Sequence, residues 1–411
     1  MSSDNRAGEY ARVQLQPDKY LGDTGATGAE GDTTIAGRPK PHGWGEIEQL
    51  SPVLVATGHL IYQLSDYQSD FISTVSVGGD AITKGNEYFS FASITTASTA
   101  AGGWDYYRGD DTVGLGDNPN NNQGAYIKLG TRPDFTVTSK FTDGPGAVSV
   151  ADVAYKLLGS RLGYDTVPGS ADVDTDALDA LDTLNSTTMG RAYVEEVLIA
   201  QVFDDLFGSI GAWWSIDRQD RFTCGRLDLP DTSATPDLDL TSDDLLGGDD
   251  DEPIQIVDLG ILGGIPVGRV EFGFSFYHTT LKGSDVDPNV SAADRLRFSI
   301  EWRLVTPTNG VDQDVLDLHP LSEPFRHNTY LVDTTASSNE QARLLTMLSA
   351  ETIALRCSVG ASLVSSINLG AHVKLTLDRL GMDNGLHFTL VQIEENYEED
   401  EATLVLWGEA A

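Results

Sequence analysis

Histidine is the residue type in this sequence best suited to bind a transition metal, and its spacing argues against that use. The seven histidines include no HExxH pattern, no close pair along the chain and no neighbouring pair of cysteines. Zinc ligands in known motifs recur at short, fixed spacings. The sequence therefore predicts no metal site at any of the seven, which are His42, His59, His278, His319, His327, His372 and His387.

The sequence also lacks the short patterns of common catalytic and cofactor sites. It has no GxSxG turn for a nucleophilic serine, no P-loop and no dinucleotide fingerprint. The run at 22–37 has GxxGxxG spacing, but no strand pattern precedes it and no helix pattern follows it, which disfavours a phosphate loop. We predict a protein that is not an enzyme, with no cofactor and no catalytic residue.

Carboxylates are so abundant that they are weak evidence for catalysis. A glycosidase needs two carboxyl groups about 5–9 Å apart, and 63 Asp and Glu residues could supply such a pair by chance. The adjacent pairs at 195–196 and 204–205 would point about 100° apart on a helix. The aspartates at 249–251 lack the ligand alternation and glycine of a calcium loop. We expect the carboxylates at all three places to lie on hydrated surface. A carbohydrate-active enzyme with an Asp/Glu pair is the less favoured alternative function.

Three aromatic residues stand in a stretch rich in Gly, Asn and Asp. Trp104, Tyr106 and Tyr107 lie within 89–124, which is predicted to be a long loop. Aromatic rings on a polar loop can stack on sugars or seat a partner. They can equally form a small core for the loop itself. A receptor- or glycan-binding protein is therefore the alternative to a purely structural role.

The net charge restricts the environment and the partners of the protein. The formal charge is −37, from 63 acidic and 26 basic residues. Such a surface repels itself in dilute salt and suits near-molar salt, where the Debye length is about 3 Å. The composition resembles that of proteins from extreme halophiles. Nucleic-acid binding is disfavoured because phosphate contacts need clustered Lys and Arg.

Length, hydropathy and cysteine content favour a soluble, multidomain protein made inside a cell. The 411 residues suggest about two to four domains. No apolar run reaches the roughly 18 residues that span a bilayer, and the polar N-terminus has no secretion signal. Cys224 and Cys357 are expected to be free buried thiols, although one disulfide is also compatible with the sequence.

The C-terminal stretch gives the strongest pattern. Ser338 with Gln341 resembles a capping box, and apolar residues from Leu344 to Leu355 recur every three or four positions, which predicts a helix over 339–356. The period then changes to two, which predicts an antiparallel meander that includes Leu363. Asn384-Gly385 is a typical turn within it.

The rest of the chain divides by composition and period. We predict an extended N-terminal arm over 1–37, a β-rich domain over 38–147, an α+β domain over 148–231 and a β-barrel domain over 232–411 that carries the packed helix. The fold class is thus mainly β with α+β insertions and a few amphipathic helices.

Within those domains the expected elements follow the same periodicities. They are a helix from Ser149 to Leu158, an acidic and poorly periodic stretch at 165–182, a helix over 194–207, a hairpin over 213–227, a linker at 231–254, and two strands at 267–276 and 296–305 that pair with the C-terminal meander.

Three segments together resemble tail and baseplate proteins of tailed bacteriophages. They are GRPKP with PVLV and LIYQ in 30–66, GAWWSIDRQDRFTCGRL in 203–227, and the ending LVLWGE in 369–409. The likeness spans 20–409 and is weakest at 86–124, 160–190 and 278–330. In contrast to longer phage relatives, we expect only a short arm before the matching region and no peptidoglycan-cleaving domain after it.

The resemblance implies a structural virion protein, a hub that ends the tail tube and organises the host-contact proteins. Such hubs pack β-barrel domains into a ring, commonly a trimer, so homo-oligomers and other tail proteins are the expected partners. Together with the acidic surface, it implies a tailed virus of a halophilic archaeon, assembled in the host cytoplasm. Candidate interface parts are the arm 1–37, which lies on a neighbour or is a disordered tail, and loops 86–124 and 278–293.

Overall fold

The structure of this chain is a computed structural model. It describes residues 14–15, 19–22, 30–109, 124–143, 148–247, 254–262, 264–306, 310–378, 381–396 and 398–410. In this part of the chain, strands dominate and helices fill the connections between sheets, which confirms the predicted mainly β class with α+β insertions.

The strands are numbered in chain order. They are β1 Gln14–Leu15, β2 His42–Leu50, β3 Val53–Ala56, β4 Ile61–Ser65, β5 Ser69–Val77, β6 Asp80–Ala81, β7 Thr83–Glu87, β8 Gly103–Tyr107, β9 Ala125–Leu129, β10 Val137–Asp143, β11 Gly190–Tyr193, β12 Val197–Leu198, β13 Ala212–Ile216, β14 Phe222–Arg226, β15 Leu238–Thr241, β16 Leu245–Leu246, β17 Ile254–Ile256, β18 Val270–Phe274, β19 Arg303–Leu304, β20 Phe325–Asn328, β21 Thr352–Gly360, β22 His372–Thr376, β23 Leu386–Asn396 and β24 Glu401–Glu409.

Seven α-helices join the strands in the described part of the chain. They are α1 Phe91–Thr96, α2 Val150–Lys156, α3 Thr175–Leu184, α4 Ile199–Gly208, α5 Ala292–Phe298, α6 Gln313–Leu318 and α7 Thr334–Ser349. A π-helix, Leu157–Arg161, continues α2. Short 3₁₀ turns occupy Ser242–Asp244, Gly260–Leu262, Gly283–Asp285 and Ala361–Val364.

The N-terminal half holds two five-stranded sheets with a shared core. Their strand orders are β11-β2-β10-β5-β6 and β3-β4-β9-β8-β7. Alternating residues of both sheets fill the space between them, among them Ile47, Leu64, Trp104 and Phe141. Because β11 pairs with β2, the first sheet also receives a strand from beyond residue 148.

The C-terminal half is built on a seven-stranded sheet. Its order is β15-β22-β23-β24-β21-β16, and β17 also pairs with β21. The central strand β24 is buried on both faces, because Leu406 packs into one core cluster and Trp407 into another. This two-sided burial explains the unbroken apolar run LVLW, since a strand covered on both faces needs no polar alternation.

Helix α7 corrects the prediction of a helix over 339–356. Asp333, rather than Ser338, caps it by accepting a 2.7 Å hydrogen bond from the Ala336 amide. The helix ends at Ser349, and Leu355 belongs to β21, where it lies opposite Leu406 of β24. The apolar three- and four-residue spacing of the helix continues by coincidence to Leu355. The strand conformation there is set by pairing with β24.

Five other predicted segments differ from the structure. The stretch 89–124 contains α1 and β8, 165–182 contains most of α3, and 231–254 contributes β15 and β16 to the large sheet rather than a linker. The strand expected at 296–305 begins as the end of α5. The strand expected at 267–276 is β18, which pairs with β19 and β20 in a separate sheet and not with the C-terminal meander.

Several local predictions are confirmed, some with shifted bounds. Ser149 and Asp152 form a capping box at α2, which continues into the π-helix instead of stopping at Gly159. The predicted 194–207 helix is α4, which starts at Ile199. The hairpin β13–β14 pairs Trp214 with Cys224 as expected. The turn before β23 is present, whereas Leu363 lies in a 3₁₀ turn rather than a strand.

Candidate assembly surface

The predicted aromatic platform is part of the protein core. Trp104 is 1 % exposed, and its Nε1 donates a 3.2 Å hydrogen bond to the Ile82 carbonyl. Tyr107 is also buried, stacked parallel to Tyr126 in a second cluster. Tyr106 is half-buried over the Lys84 ammonium. Trp104 and Tyr107 therefore belong to cores formed with other strands rather than to a small core of a loop, and they are not available as an exposed stacking surface.

The adjacent carboxylate pairs have structural partners. Asp204 accepts a 2.8 Å hydrogen bond from Trp214 Nε1, and Asp205 accepts one of 3.0 Å from the Tyr193 hydroxyl. Burial raises the pKa of Asp205 despite the nearby Arg191 guanidinium. Glu196 forms an ion pair with Lys19. The aspartates at 249–251 lie outside the described residues.

The fold brings together two histidines that are distant in sequence. Cross-strand pairing of β22 with β23 places His372 Nε2 2.7 Å from His387 Nδ1. Spacing along the chain gave no sign of this pair, because 15 residues separate the two rings. In the described part of the chain, no three His, Cys, Asp or Glu side chains come together as a metal-binding group.

Both cysteines are buried in different core clusters. Cys224 lies against the helices of the middle of the chain, and Cys357 lies within the large sheet. Both thiols are free, as one of the two interpretations of the sequence predicted. Burial raises the pKa of each thiol to about 12, which keeps it protonated and poorly nucleophilic.

The described parts of the N-terminal arm pack on their own chain. Strand β1 pairs with β12, and Tyr20 is buried, with its amide donating to the Arg38 carbonyl. Lys40 pairs with Glu30 at 2.8 Å. The remainder of the proposed 1–37 arm lies outside the described residues, so its contact with a neighbouring subunit stays a prediction.

Two neighbouring depressions lie close to this arm, and residues of the arm line the larger one. They have volumes of about 370 and 300 Å³ and share walls formed by Leu50, Val194 and His278. His278 joins three segments there: its Nε2 accepts from the Ala192 amide at 2.7 Å, and its Nδ1 donates to the Glu48 carbonyl at 3.0 Å. Both ring nitrogens are thus engaged in hydrogen bonds that link β2 to β11.

Exposed apolar side chains cluster in one segment. Seventeen large apolar side chains are exposed among the described residues, and six of them fall between 296 and 321, a small part of the chain. They are Leu296, Ile300, Leu304, Val311, Leu318 and Leu321. This segment contains β19 at the edge of the β18 sheet, so it combines unpaired backbone with apolar surface. Both features are typical of protein–protein interfaces.

This surface follows the predicted interface loop 278–293 in the chain and does not overlap it. The prediction of a strand at 296–305 that pairs with the C-terminal meander gave no indication of this surface. A usable signal was present, since leucine or isoleucine at 296, 300 and 304 accompanies three arginines in a chain dominated by acid.

Comparisons with known proteins give matches at the level of fold. No known family model matches this chain, and no curated protein matches it by sequence. A chain from the virion of a native gene transfer agent particle matches with a TM-score of 0.50 and 12 % identity, covering 90 % of this chain and 84 % of that one. At this identity the match establishes a shared fold.

Two bacterial tail proteins match at lower TM-scores. The tail protein from Neisseria meningitidis MC58 gives 0.32 at 11 % identity, covering 90 % of this chain and 96 % of that one. The 43 kDa tail protein of prophage MuSo2 from Shewanella oneidensis gives 0.33 at 10 % identity, covering 88 % and 94 %. Scores this low add nothing to the fold assignment.

Among the described residues, no helix is both long and apolar enough to cross a bilayer.

Proposed function

We propose that this chain is a structural virion protein, a hub subunit at the tip or baseplate of a virus tail. The observation that carries the proposal is the fold, which is shared over 90 % of the chain with a component of a gene transfer agent virion. The exposed apolar segment at 296–321 supports it, because a tail component must bury such surface against other subunits.

In this proposal the protein works by assembly and not by catalysis. Its aromatic cluster and its adjacent carboxylates are engaged in packing and hydrogen bonds. Copies of the chain close a ring, commonly a trimer, at the end of the tail tube, and other tail proteins bind around it. A closed ring has no unpaired outer edge left between subunits, which limits further growth.

The host in this proposal is a halophilic archaeon. The support is the charge of −37, which is tolerable where salt screens it. Assembly then takes place in the salt-rich host cytoplasm, and the finished protein resides in the virion.

The experiment is deletion of the coding sequence from the virus genome, with complementation in trans. We expect normal heads but tails that are missing or open at the tip, restored by the wild-type chain. Antibodies to the chain should label one end of wild-type tails, with a head-protein antibody as the control. Normal infectious tails without the chain would overturn the proposal.

A further inference from the structure

A helix and a short strand present apolar side chains to solvent, uncovered by the described part of the chain. We call residues 291–304 the α5 face. Helix α5 has no buried residue. Leu296 is 69 % exposed, Leu304 is 55 % exposed and Ile300 is also exposed, at intervals of four residues. A helix that contributes nothing to its own core is explained if its face packs against another molecule.

The α5 face is held in a fixed position. The Leu281 amide donates to the Phe298 carbonyl at 2.9 Å, and the Tyr277 amide donates to the Glu301 carbonyl at 2.7 Å. The Phe298 ring also lies against Gly79, at the turn between β5 and β6. These contacts connect the face to both halves of the protein, so it is a preformed surface rather than a mobile loop. Preformed surfaces bind with a smaller loss of conformational entropy.

The arginines of the α5 face carry charge that the chain does not neutralise. Arg297 lies 5.7 Å from the Tyr277 ring, and Arg303 lies 5.1 Å from the Phe274 ring. Arg295 donates to three backbone carbonyls. Within the described ranges, none of the three has a carboxylate oxygen within 4.0 Å, whereas many other basic side chains do.

The local charge is opposite to that of the molecule. Residues 291–304 hold three arginines against Asp294 and Glu301, a net of +1 in a chain of −37. The partner that fits an apolar, positive face is an acidic surface with apolar side chains of its own.

The same chain carries a matching surface on helix α3. We call residues 163–190 the α3 face. It contains six aspartates and no Lys or Arg. Asp176, Asp179 and Leu184 are exposed on α3, and Val167 is exposed in the preceding loop. Asp179 also accepts a 2.8 Å hydrogen bond from the Tyr155 hydroxyl, and Asp174 lies 3.4 Å from the Arg221 guanidinium. Both Asp176 and Leu184 are exposed, so their replacement leaves the core of the protein unchanged.

We propose that the α5 face of one copy binds the α3 face of a second copy. Leu296, Ile300 and Leu304 would pack against Leu184 and its neighbours, with the arginines facing the aspartates. The two faces differ, so the contact is heterologous and repeats from copy to copy until the assembly closes into a ring. This inference rests on the proposed function, because it specifies how the copies in the hub meet.

Two variants, each disabling one face, test this pairing. The first carries Leu296→Asp and Arg297→Asp, and the second carries Asp176→Arg and Leu184→Arg. Arg356→Asp is the control for charge reversal, because Arg356 is exposed on β21 in the seven-stranded sheet, to which neither face contributes a strand. Circular dichroism and thermal unfolding verify that all three fold as the wild type does.

Light scattering measures the association of each purified protein alone and of the mixture, in about 1 M salt to suppress the general charge repulsion. The wild type and Arg356→Asp should assemble, and each face variant alone should associate at least about tenfold more weakly. A mixture of the two face variants should form a dimer that grows no further, because one intact face remains on each. A monomeric wild type, face variants that assemble normally, or a mixture without dimers would each overturn the pairing.

The particle experiment separates this inference from the proposed function. If the chain is found at the tail tip while the two faces fail to bind, the pairing is wrong and the hub role stands. If the faces bind in solution while the chain is absent from particles, the hub role is wrong.

Discussion

His278 provides a prediction that can be worked through quantitatively. Its neutral ring links β2 to β11, since Nε2 accepts from the Ala192 amide and Nδ1 donates to the Glu48 carbonyl. Burial lowers its pKa from 6.5 to about 3, because removing water disfavours the charged ring, although the hydrogen bond to Glu48 acts in the opposite direction. In the unfolded chain the ring regains an ordinary pKa of about 6.5.

This difference has a definite sign. As the pH falls below 6.5, His278 binds a proton in the unfolded chain but not in the folded chain, so the free energy of unfolding decreases. The loss approaches about 1.4 kcal/mol per pH unit, which amounts to roughly 2 kcal/mol between pH 7.5 and 5.0. The contribution is fully present above the unfolded pKa and is lost on the way down to the folded pKa near 3.

The test compares the wild type with His278→Gln, whose amide has a donor and an acceptor but does not titrate. Urea unfolding followed by tryptophan fluorescence gives the free energy of unfolding at each pH. The carboxylates titrate in both proteins, so the difference between the two curves isolates His278. We expect the wild type to lose about 2 kcal/mol more than the variant between pH 7.5 and 5.0. Parallel curves would refute the reasoning, as would a His278 ring signal in NMR that titrates near pH 6.5.

Three further predictions follow from the core and the surface. Trp104→Ala should cost about 3–5 kcal/mol in urea unfolding because the indole is buried, whereas the half-buried Tyr106→Ala should cost clearly less; equal, small costs would contradict this. Cys224 and Cys357 should resist a thiol reagent at about pH 8 until urea is added, because burial raises the pKa of both to about 12; rapid labelling of the native protein would contradict this. The thermal midpoint, followed by calorimetry, should rise between about 0.1 and 1 M KCl as salt screens the net charge; a falling midpoint would contradict the halophilic origin.

Local chemistry in the sequence was sufficient for elements whose determinants are close together. The hairpin β13–β14 was predicted because a polar turn joins two apolar runs, and the structure pairs Trp214 with Cys224 across it. The capping box at Ser149 and Asp152 predicted the start of α2 for the same reason. In both cases the deciding contacts lie within a few residues.

Elements decided by distant contacts were not predictable in this way. Leu355 continues the apolar spacing of α7, and only its partner Leu406, some fifty residues later, makes it part of a strand. The 296–304 stretch is ambiguous, because residues four apart share a face of a helix and also of a strand. The Ser291 hydroxyl accepts from the Asp294 amide at 3.1 Å, and this cap selects the helix.

The candidate surface was harder to predict than the fold. Exposure is a property of the folded chain, and the alternation in the sequence placed Leu296 and Ile300 in a paired strand rather than on an exposed surface. The reverse error occurred at Trp104, where a polar neighbourhood suggested a loop and the ring is buried between two sheets. The His372–His387 contact depends on strand register, which no spacing along the chain encodes.

The central claim is tested most directly by locating this chain in the virus particle. Cryo-electron microscopy of purified particles, at a resolution that traces strands, should place the two five-stranded sheets and the seven-stranded sheet of each copy in a ring at the end of the tail tube. Density at the tail tip that accommodates only other proteins, with this chain missing from the particles by mass spectrometry, would contradict the account.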